Sequence, residues 1–310
     1  MIAVYVLGGL ILALALFDRF FPVRAANAAL RMERWRAGLA VRSANIAGFA
    51  MPYLEGGDGA PLVLVHGFGG DKDNFVRVSA FLRRRYRIVI PDLPGFGDAS
   101  RDPKASYRIA DQVERLDRFI AALGLGRVHL GGNSMGGAIV AEYAGRHPDK
   151  VASLWLLDAA GTAAAHDTPL VRDYLATGRF PLLLKSEGDF SGLMRATMSR
   201  RPFFPSSLKR ILGRRAVADY ELHARILGEV ASDSPALEAQ FSRIETPALI
   251  VWGGEDRILD RRGAAALQAL LPHGRLVVMP GIGHLPMLEA PRRAAKDYLA
   301  FRRSLDRASA

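Results

Sequence analysis

The 310-residue sequence contains no cysteine. Disulfide frameworks, thiolate nucleophiles and cysteine-ligated metal or iron–sulfur centres are therefore excluded, and any covalent nucleophile must be another side chain. HExxH and other close metal-ligand spacings are absent, so the sequence predicts no metal. The glycine run after His66 fails the dinucleotide pattern because Lys72 holds the place of the third glycine, and no GxxxxGK[ST] phosphate cradle occurs. Acidic residues are scarce beside basic ones, 31 against 42, giving a formal charge of +11. Such a balance suits an anionic surface, but no nucleic-acid module accompanies it. With 50% hydrophobic and 24% charged residues the chain can bury a full core. Its length fits one large α/β domain with an insertion, or two ordinary domains.

Charge is also missing from residues 1–17, MIAVYVLGGLILALALF. As a helix this stretch spans roughly 25 Å, just enough to cross a bilayer with little tilt. A cleaved signal would want a positive n-region and a shorter apolar stretch, and the nearest Ala-x-Ala, Ala26 to Ala28, lies well beyond it. The expectation is an uncleaved membrane anchor over 1–17 followed by a basic juxtamembrane segment, 18–47. Arg19, Arg24, Arg31, Arg34, Arg36 and Arg42 face only Asp18 and Glu33 there. By the positive-inside rule that places the remaining domain on the cytoplasmic side.

Short apolar runs at 62–65, 88–90, 128–130, 154–157, 248–252 and 276–279 are each followed by Gly, Pro or Asp, and read as strands. Helical patterns alternate with them at 75–84, 109–123, 135–146, 264–271 and 290–301. This alternation predicts an α/β fold, a mostly parallel central sheet with helices on both faces. It breaks once, where residues 163–238 carry helix-like stretches without a strand run. They read as an inserted helical cap between a first core part, 48–162, and a second, 239–310.

After the strand at 128 comes Gly131-Gly132-Asn133-Ser134-Met135-Gly136-Gly137, opening directly into a helix pattern. This is G-x-S-x-G in its strand-turn-helix context. Ser134 must sit in a strained turn, and only glycine at 132 and 136 lets the neighbouring backbone pass closely. A serine hydroxyl needs a base to take its proton, and the base needs a carboxylate to fix its tautomer. Downstream, one strand ends in Gly253-Gly254-Glu255-Asp256-Arg257 and the next in Pro280-Gly281-Ile282-Gly283-His284, placing both groups at the same sheet edge. Asp256 is the expected acid and His284 the expected base. Glu255 and Asp260 are local competitors for the acid, and Asp158 is a distant one. Upstream, His66-Gly67-Phe68-Gly69-Gly70 follows a strand, so the amides of Phe68 and Met135 are the expected oxyanion donors. His66 itself reads as a loop-ordering residue, and His129, His147, His166, His223 and His273 as structural.

The segments LVLVHGFGGDKDNF, RIVIPDLPGFGDAS, HLGGNSMGGAIVAEYA, LIVWGGEDRIL and VMPGIGHLPMLEAP, in this order, resemble the α/β-hydrolase family from about 52 to 302. More narrowly they are similar to the membrane-anchored monoacylglycerol lipase group, which also carries a short N-terminal anchor. The resemblance implies an α/β-hydrolase fold, the triad Ser134, Asp256 and His284, and an oxyanion hole at Phe68 and Met135. The GNSMGG elbow also resembles that of carbon–carbon bond hydrolases of ring-fission products, although Leu285 stands where those typically carry Trp.

The expected reaction is hydrolysis of a lipid-like carboxylic ester through an acyl-enzyme on Ser134, with no cofactor. Carbon–carbon bond hydrolysis, or a catalytically silent membrane-bound binding module, are the alternatives. No obligatory protein partner is expected. Within the cap, Arg200, Arg201, Lys209, Arg210, Arg214 and Arg215 are interleaved with Phe203, Phe204, Ile211 and Leu212. That stretch suits either a solvated cap face or contact with an anionic bilayer.

Overall fold

The computed structural model describes residues 1–232 and 234–308; position 233 of the expected cap and positions 309 and 310 of the expected second core part lie outside the described residues. Eight strands form one sheet among the described residues: β1 (Ala40–Ile46), β2 (Phe49–Gly56), β3 (Ala60–Val65), β4 (Tyr86–Pro91), β5 (Val128–Ser134), β6 (Val151–Ala159), β7 (Ala248–Gly253) and β8 (Gly274–Met279). Their order is β1-β2-β4-β3-β5-β6-β7-β8. The strands from β4 to β8 along this order run parallel, while β1 and β2 pair antiparallel at one edge.

The apolar runs are continuous because both faces of the sheet are covered. Side chains alternate between the two layers with the period of a strand. Val63 and Val65 join the layer that holds Leu116, Phe119 and Ile139, whereas Leu62 and Leu64 join the layer of Tyr298 and Phe301. On β6, Leu154 and Leu156 take the first layer, Trp155 and Leu157 the second. Trp155 stacks on Tyr298 with ring centroids 4.5 Å apart. Truncating such a buried aromatic costs about 3–5 kcal/mol. The helix Ile109–Ala122 earns its place by spacing: Val113, Leu116, Phe119 and Ile120 fall on one buried face.

Since β4 and β5 lie on opposite sides of β3, the loops leaving β3 and β5 open a crevice at the carboxyl edge of the sheet. Between β6 and β7 the chain is helical, through Pro169–Thr177, Phe190–Thr197, Ser206–Ala218 and Tyr220–Ser232. Thr168 starts the first of these by accepting the Val171 amide at 3.1 Å.

The segment 18–47, expected as a basic juxtamembrane segment, contains the helix Pro22–Ala37 and the edge strand β1. The first helix, Ile2–Phe20, ends where Phe21 leaves helical geometry and Pro22 opens the second. Among the described residues no single helix is long and apolar enough to cross a membrane. Only the pair Val4–Phe20 and Pro22–Ala37, bent by 119°, has the length and composition together among the described residues. Tyr5, Leu10, Leu12 and Leu14 on the first helix are each more than half exposed. The second helix, by contrast, is built into the body: Glu33 pairs with Arg77 at 2.7 Å and Arg34 with Asp73 at 2.5 Å.

Candidate active site

Ser134 is the last residue of β5 and the N-cap of the helix Met135–Arg146, with φ 54° and ψ −122°. Positive φ at a residue with a side chain is strained, and the neighbouring glycines explain how it is tolerated. A Cβ on Gly132 would meet the Gly136 carbonyl oxygen at 2.2 Å, and one on Gly136 the Val65 carbonyl oxygen at 2.2 Å. The turn thus brings Ser134 against the loop after β3. Met135 opens the helix, where the first amides have no intrahelical acceptor.

His284 follows β8 and Asp256 follows β7. His284 Nδ1 donates to Asp256 Oδ2 at 2.9 Å, and both side chains are at least 96% buried. The other oxygen of Asp256 accepts the amides of Ile258 and Leu259 at 2.8 and 3.2 Å. Of the competing acids, Glu255 is exposed and Asp260 pairs with Arg262 at 3.0 Å, which holds its carboxyl below the usual range. Asp158 lies close: Asp158, Asp256 and His284 each place an N or O atom within 4.8 Å of the others.

Ser134, His284 and Phe68 line one cavity of about 200 Å³. Its walls are mainly apolar, with Leu182, Phe190, Met194, Leu208 and Leu212 coming from the helical excursion after β6. Ala29, Leu30 and Glu33 of the helix Pro22–Ala37 complete the wall. The amino-terminal helix pair therefore reaches the site itself. Asp18, at the end of the first helix, accepts the Ser207 amide at 3.1 Å and contacts the Ser207 hydroxyl, so it caps the helix Ser206–Ala218.

The loop after β3 is held rigidly. His66 donates from Nδ1 to the Gly67 carbonyl at 2.8 Å and accepts the Leu93 amide at Nε2 at 3.0 Å, so its ring orders the loop. Burial keeps its pKa below the ordinary value. Lys72, the residue that breaks the dinucleotide pattern, is buried and bridges Asp92 at 2.7 Å and Asp98 at 2.6 Å. Burial alone would lower its ammonium, but the two carboxylates outweigh that and raise it.

Three contributors escape the sequence reading. Asn133, 1% exposed, donates from Nδ2 to the carbonyls of Leu157 and His284, each at 3.0 Å. Glu289 accepts the amides of Gly283, Ser199 and Arg200 at 3.0, 2.9 and 2.7 Å, tying the His284 loop to the helical excursion. His223, read as structural, lines the cavity and packs on Phe96 and Phe68 at 5.0 and 5.6 Å between centroids. The remaining histidines stand elsewhere, His129 against Ser153, His147 against Tyr143, His166 near the Gly161 amide and His273 against Glu245. In the basic stretch, Arg210, Arg214 and Arg215 turn to Asp18, Glu187 and Asp98. Arg200 and Arg201 are exposed, as is Phe203.

A family model described as the alpha/beta hydrolase fold matches residues 60–291. The chain belongs to the alpha/beta hydrolase family. Within that family it is 38% identical to Lipase 1 of Psychrobacter immobilis over 89% of this chain and 88% of the lipase. It is 26% identical to the monoacylglycerol lipase abhd6-B of Xenopus laevis over 97% of this chain and 95% of that protein. Among solved hydrolases it superposes on a membrane phospholipase A described as a bacterial virulence factor, with a TM-score of 0.89, 40% identity and 99% of each chain covered. Ser134 at the end of β5, Asp256 after β7 and His284 after β8 lie at one edge of the sheet.

Proposed function

We propose that this hydrolase cleaves carboxylic esters of acyl lipids, monoacylglycerols or related glycerolipids, through an acyl-enzyme on Ser134. His284, oriented by Asp256, takes the hydroxyl proton as Ser134 attacks the ester carbonyl. The amides of Phe68 and Met135 donate to the developing oxyanion, worth about 3–4 kcal/mol per donor in comparable sites. The alcohol leaves with the proton from His284, and water activated by the same ring then releases the fatty acid. The helical segment 163–238 acts as a cap over the core parts 48–162 and 239–310.

The carrying observation is the cavity: Ser134 and His284 line it, and its mainly apolar wall includes Ala29 and Leu30. That wall suits an acyl chain better than a dissolved polar ester. The names of the lipase and phospholipase relatives support the same class. Apolar, exposed side chains on the helix Ile2–Phe20 support association with a bilayer, which would hold the enzyme beside its substrate. In that setting Arg19, Arg24 and Arg31 would favour the cytoplasmic face.

The test is a panel of glycerol esters of rising acyl length, a diacyl phospholipid and a ring-fission dienoate, run beside Ser134→Ala. Turnover of the acyl esters, lost in the variant together with labelling by a fluorophosphonate, is the expected result. Turnover of the dienoate alone, or no labelling of the wild type, overturns the proposal.

A further inference from the structure

Asp158 is the residue before the end of β6 and has no part in the reaction just proposed. Its side chain is fully buried, and its backbone sits at φ 42°. Oδ1 accepts the amide of Gly253 at 2.7 Å. Oδ2 is buried with no hydrogen-bond donor in reach, yet the carboxyl group stands within 4.8 Å of Asp256 and His284. Two carboxylates this close in a buried site do not both ionise, because their repulsion is poorly screened.

Which one keeps the proton follows from the donors. Asp256 receives three N–H groups, from His284, Ile258 and Leu259. Each favours its charged form. Asp158 receives one, and its second oxygen points at no donor. An orphan oxygen beside an anion is satisfied when it carries hydrogen itself. We propose that Asp158 is a neutral carboxylic acid whose Oδ2–H donates to Asp256, making it a positioning residue for the Asp256–His284 pair. This rests on the assignment of Asp256 and His284 to the reaction.

The groups facing Asp158 agree. Asp256 after β7 and Glu289 of the helix Pro286–Glu289 are acidic, and His284 follows β8; the Gly253 amide alone favours the anion. Burial, and then the charge of Asp256, pushes the Asp158 carboxyl well above the usual range. The added bond gives Asp256 a further donor beside His284, Ile258 and Leu259, and so restricts how its carboxylate can turn beside the imidazole. A neutral acid serving as donor in a buried site has precedent in the general chemistry of catalytic carboxyl pairs.

The experiment uses full-length wild type, Asp158→Asn and Asp158→Gly. Asparagine keeps both bonds, accepting from Gly253 and donating to Asp256, but cannot ionise. Glycine removes the side chain and tolerates the positive φ. The wild-type-minus-Asn infrared difference spectrum at neutral pH should contain the carbonyl stretch of a neutral carboxylic acid. Asp158→Asn should hydrolyse a short-chain ester near the wild-type rate and lack any alkaline loss that arises from Asp158 ionising. Asp158→Gly should lose about ten- to a hundredfold in kcat with little change in KM. An absent carboxylic band overturns the proposal, as does an Asn variant as impaired as the Gly variant while both melt cooperatively. A fully active Gly variant also overturns it. If Asp158→Gly fails to fold, the infrared band and the Asn pH profile decide. Failure of Ser134 to label with a fluorophosphonate would instead sink the catalytic assignment, leaving the infrared test of the acid pair intact.

Discussion

The side-chain amide of Asn133 donates at 3.0 Å to the carbonyl oxygen of His284, 151 residues further along the chain. A second N–H of the same amide reaches Leu157 at 3.0 Å. The residue before the proposed nucleophile therefore fastens the loop that carries the proposed base. Replacing Asn133 by Ala leaves two buried carbonyls without that donor, at about 1–3 kcal/mol each. The expected outcome is a lower melting temperature and a kcat reduced about tenfold, with KM nearly unchanged. An alanine variant that melts lower yet turns over at the wild-type kcat would show that the tether supports the fold without placing His284.

The elbow itself should be intolerant of a single methyl group. A Cβ on Gly136 would come within 2.2 Å of the Val65 carbonyl and 2.5 Å of that of His66, both backbone atoms that cannot step aside. Gly136→Ala should lose more than about 4 kcal/mol, visible as insoluble or non-cooperative protein. Gly228, in the helix Tyr220–Ser232, has nothing within 4 Å of its Cβ position. Gly228→Ala should gain up to about 1 kcal/mol from helix propensity. Equal melting temperatures for the two variants would contradict the steric account of the elbow.

The contrast between those glycines also explains what could be read before the structure. Gly132, Ser134 and Gly136 are legible because one local turn demands all three, and the demand falls on adjacent positions. Asp256 and His284 are legible because each lies in the short loop that follows an apolar strand run. Asn133 and Glu289 are silent, since their partners are main-chain atoms brought near only by the finished fold. The hairpin of β1 and β2 is silent for another reason. At the sheet edge β1 buries only Ile46 fully, so it shows no apolar run, and Pro52 interrupts the pattern of β2. The helix Pro22–Ala37 looks like a basic linker because its packing face is made of small residues, Ala25, Ala26 and Ala37.

That helix pair separates two roles that truncation can distinguish. Residues 1–17 supply exposed apolar surface, while Asp18 caps the helix Ser206–Ala218 and Leu30 lines the cavity. A chain beginning at Asp18 should keep its hydrolysis of a short soluble ester and lose co-sedimentation with phospholipid vesicles. Asp18→Ala in the full chain should do the reverse. It should still bind vesicles but melt lower by the loss of the bond Asp18 accepts from the Ser207 amide in the first helical turn, about 1 kcal/mol. Vesicle binding that survives the truncation would assign it to another surface, with exposed Arg200, Arg201 and Phe203 the next to test.

Two buried groups give the stability of this hydrolase opposing responses to pH. Burial, then Asp73 and Asp92, push the Asp71 carboxyl up to about 7. Its folded pKa lies above the unfolded value near 4, so stability falls as pH rises from about 4 to 7. Burial, then Arg302, push His129 down to about 4. Its folded pKa lies below the unfolded value near 6.5, so stability falls as pH drops from about 6.5 to 4. In the wild type the two slopes offset each other across that window. Asp71→Asn retains an N-cap for the turn Lys72–Phe75 and removes the first slope, and Arg215 keeps Asp98 at 2.5 Å. The melting temperature of Asp71→Asn relative to wild type should therefore climb with pH from 4 to 7. That of His129→Asn, which removes the second slope, should climb as pH falls from 6.5 to 4. Differential scanning at half-unit pH steps reads both, since other groups titrate alike in all three proteins. A pH-independent offset in either variant would mean that the group it replaces keeps one charge state across the window.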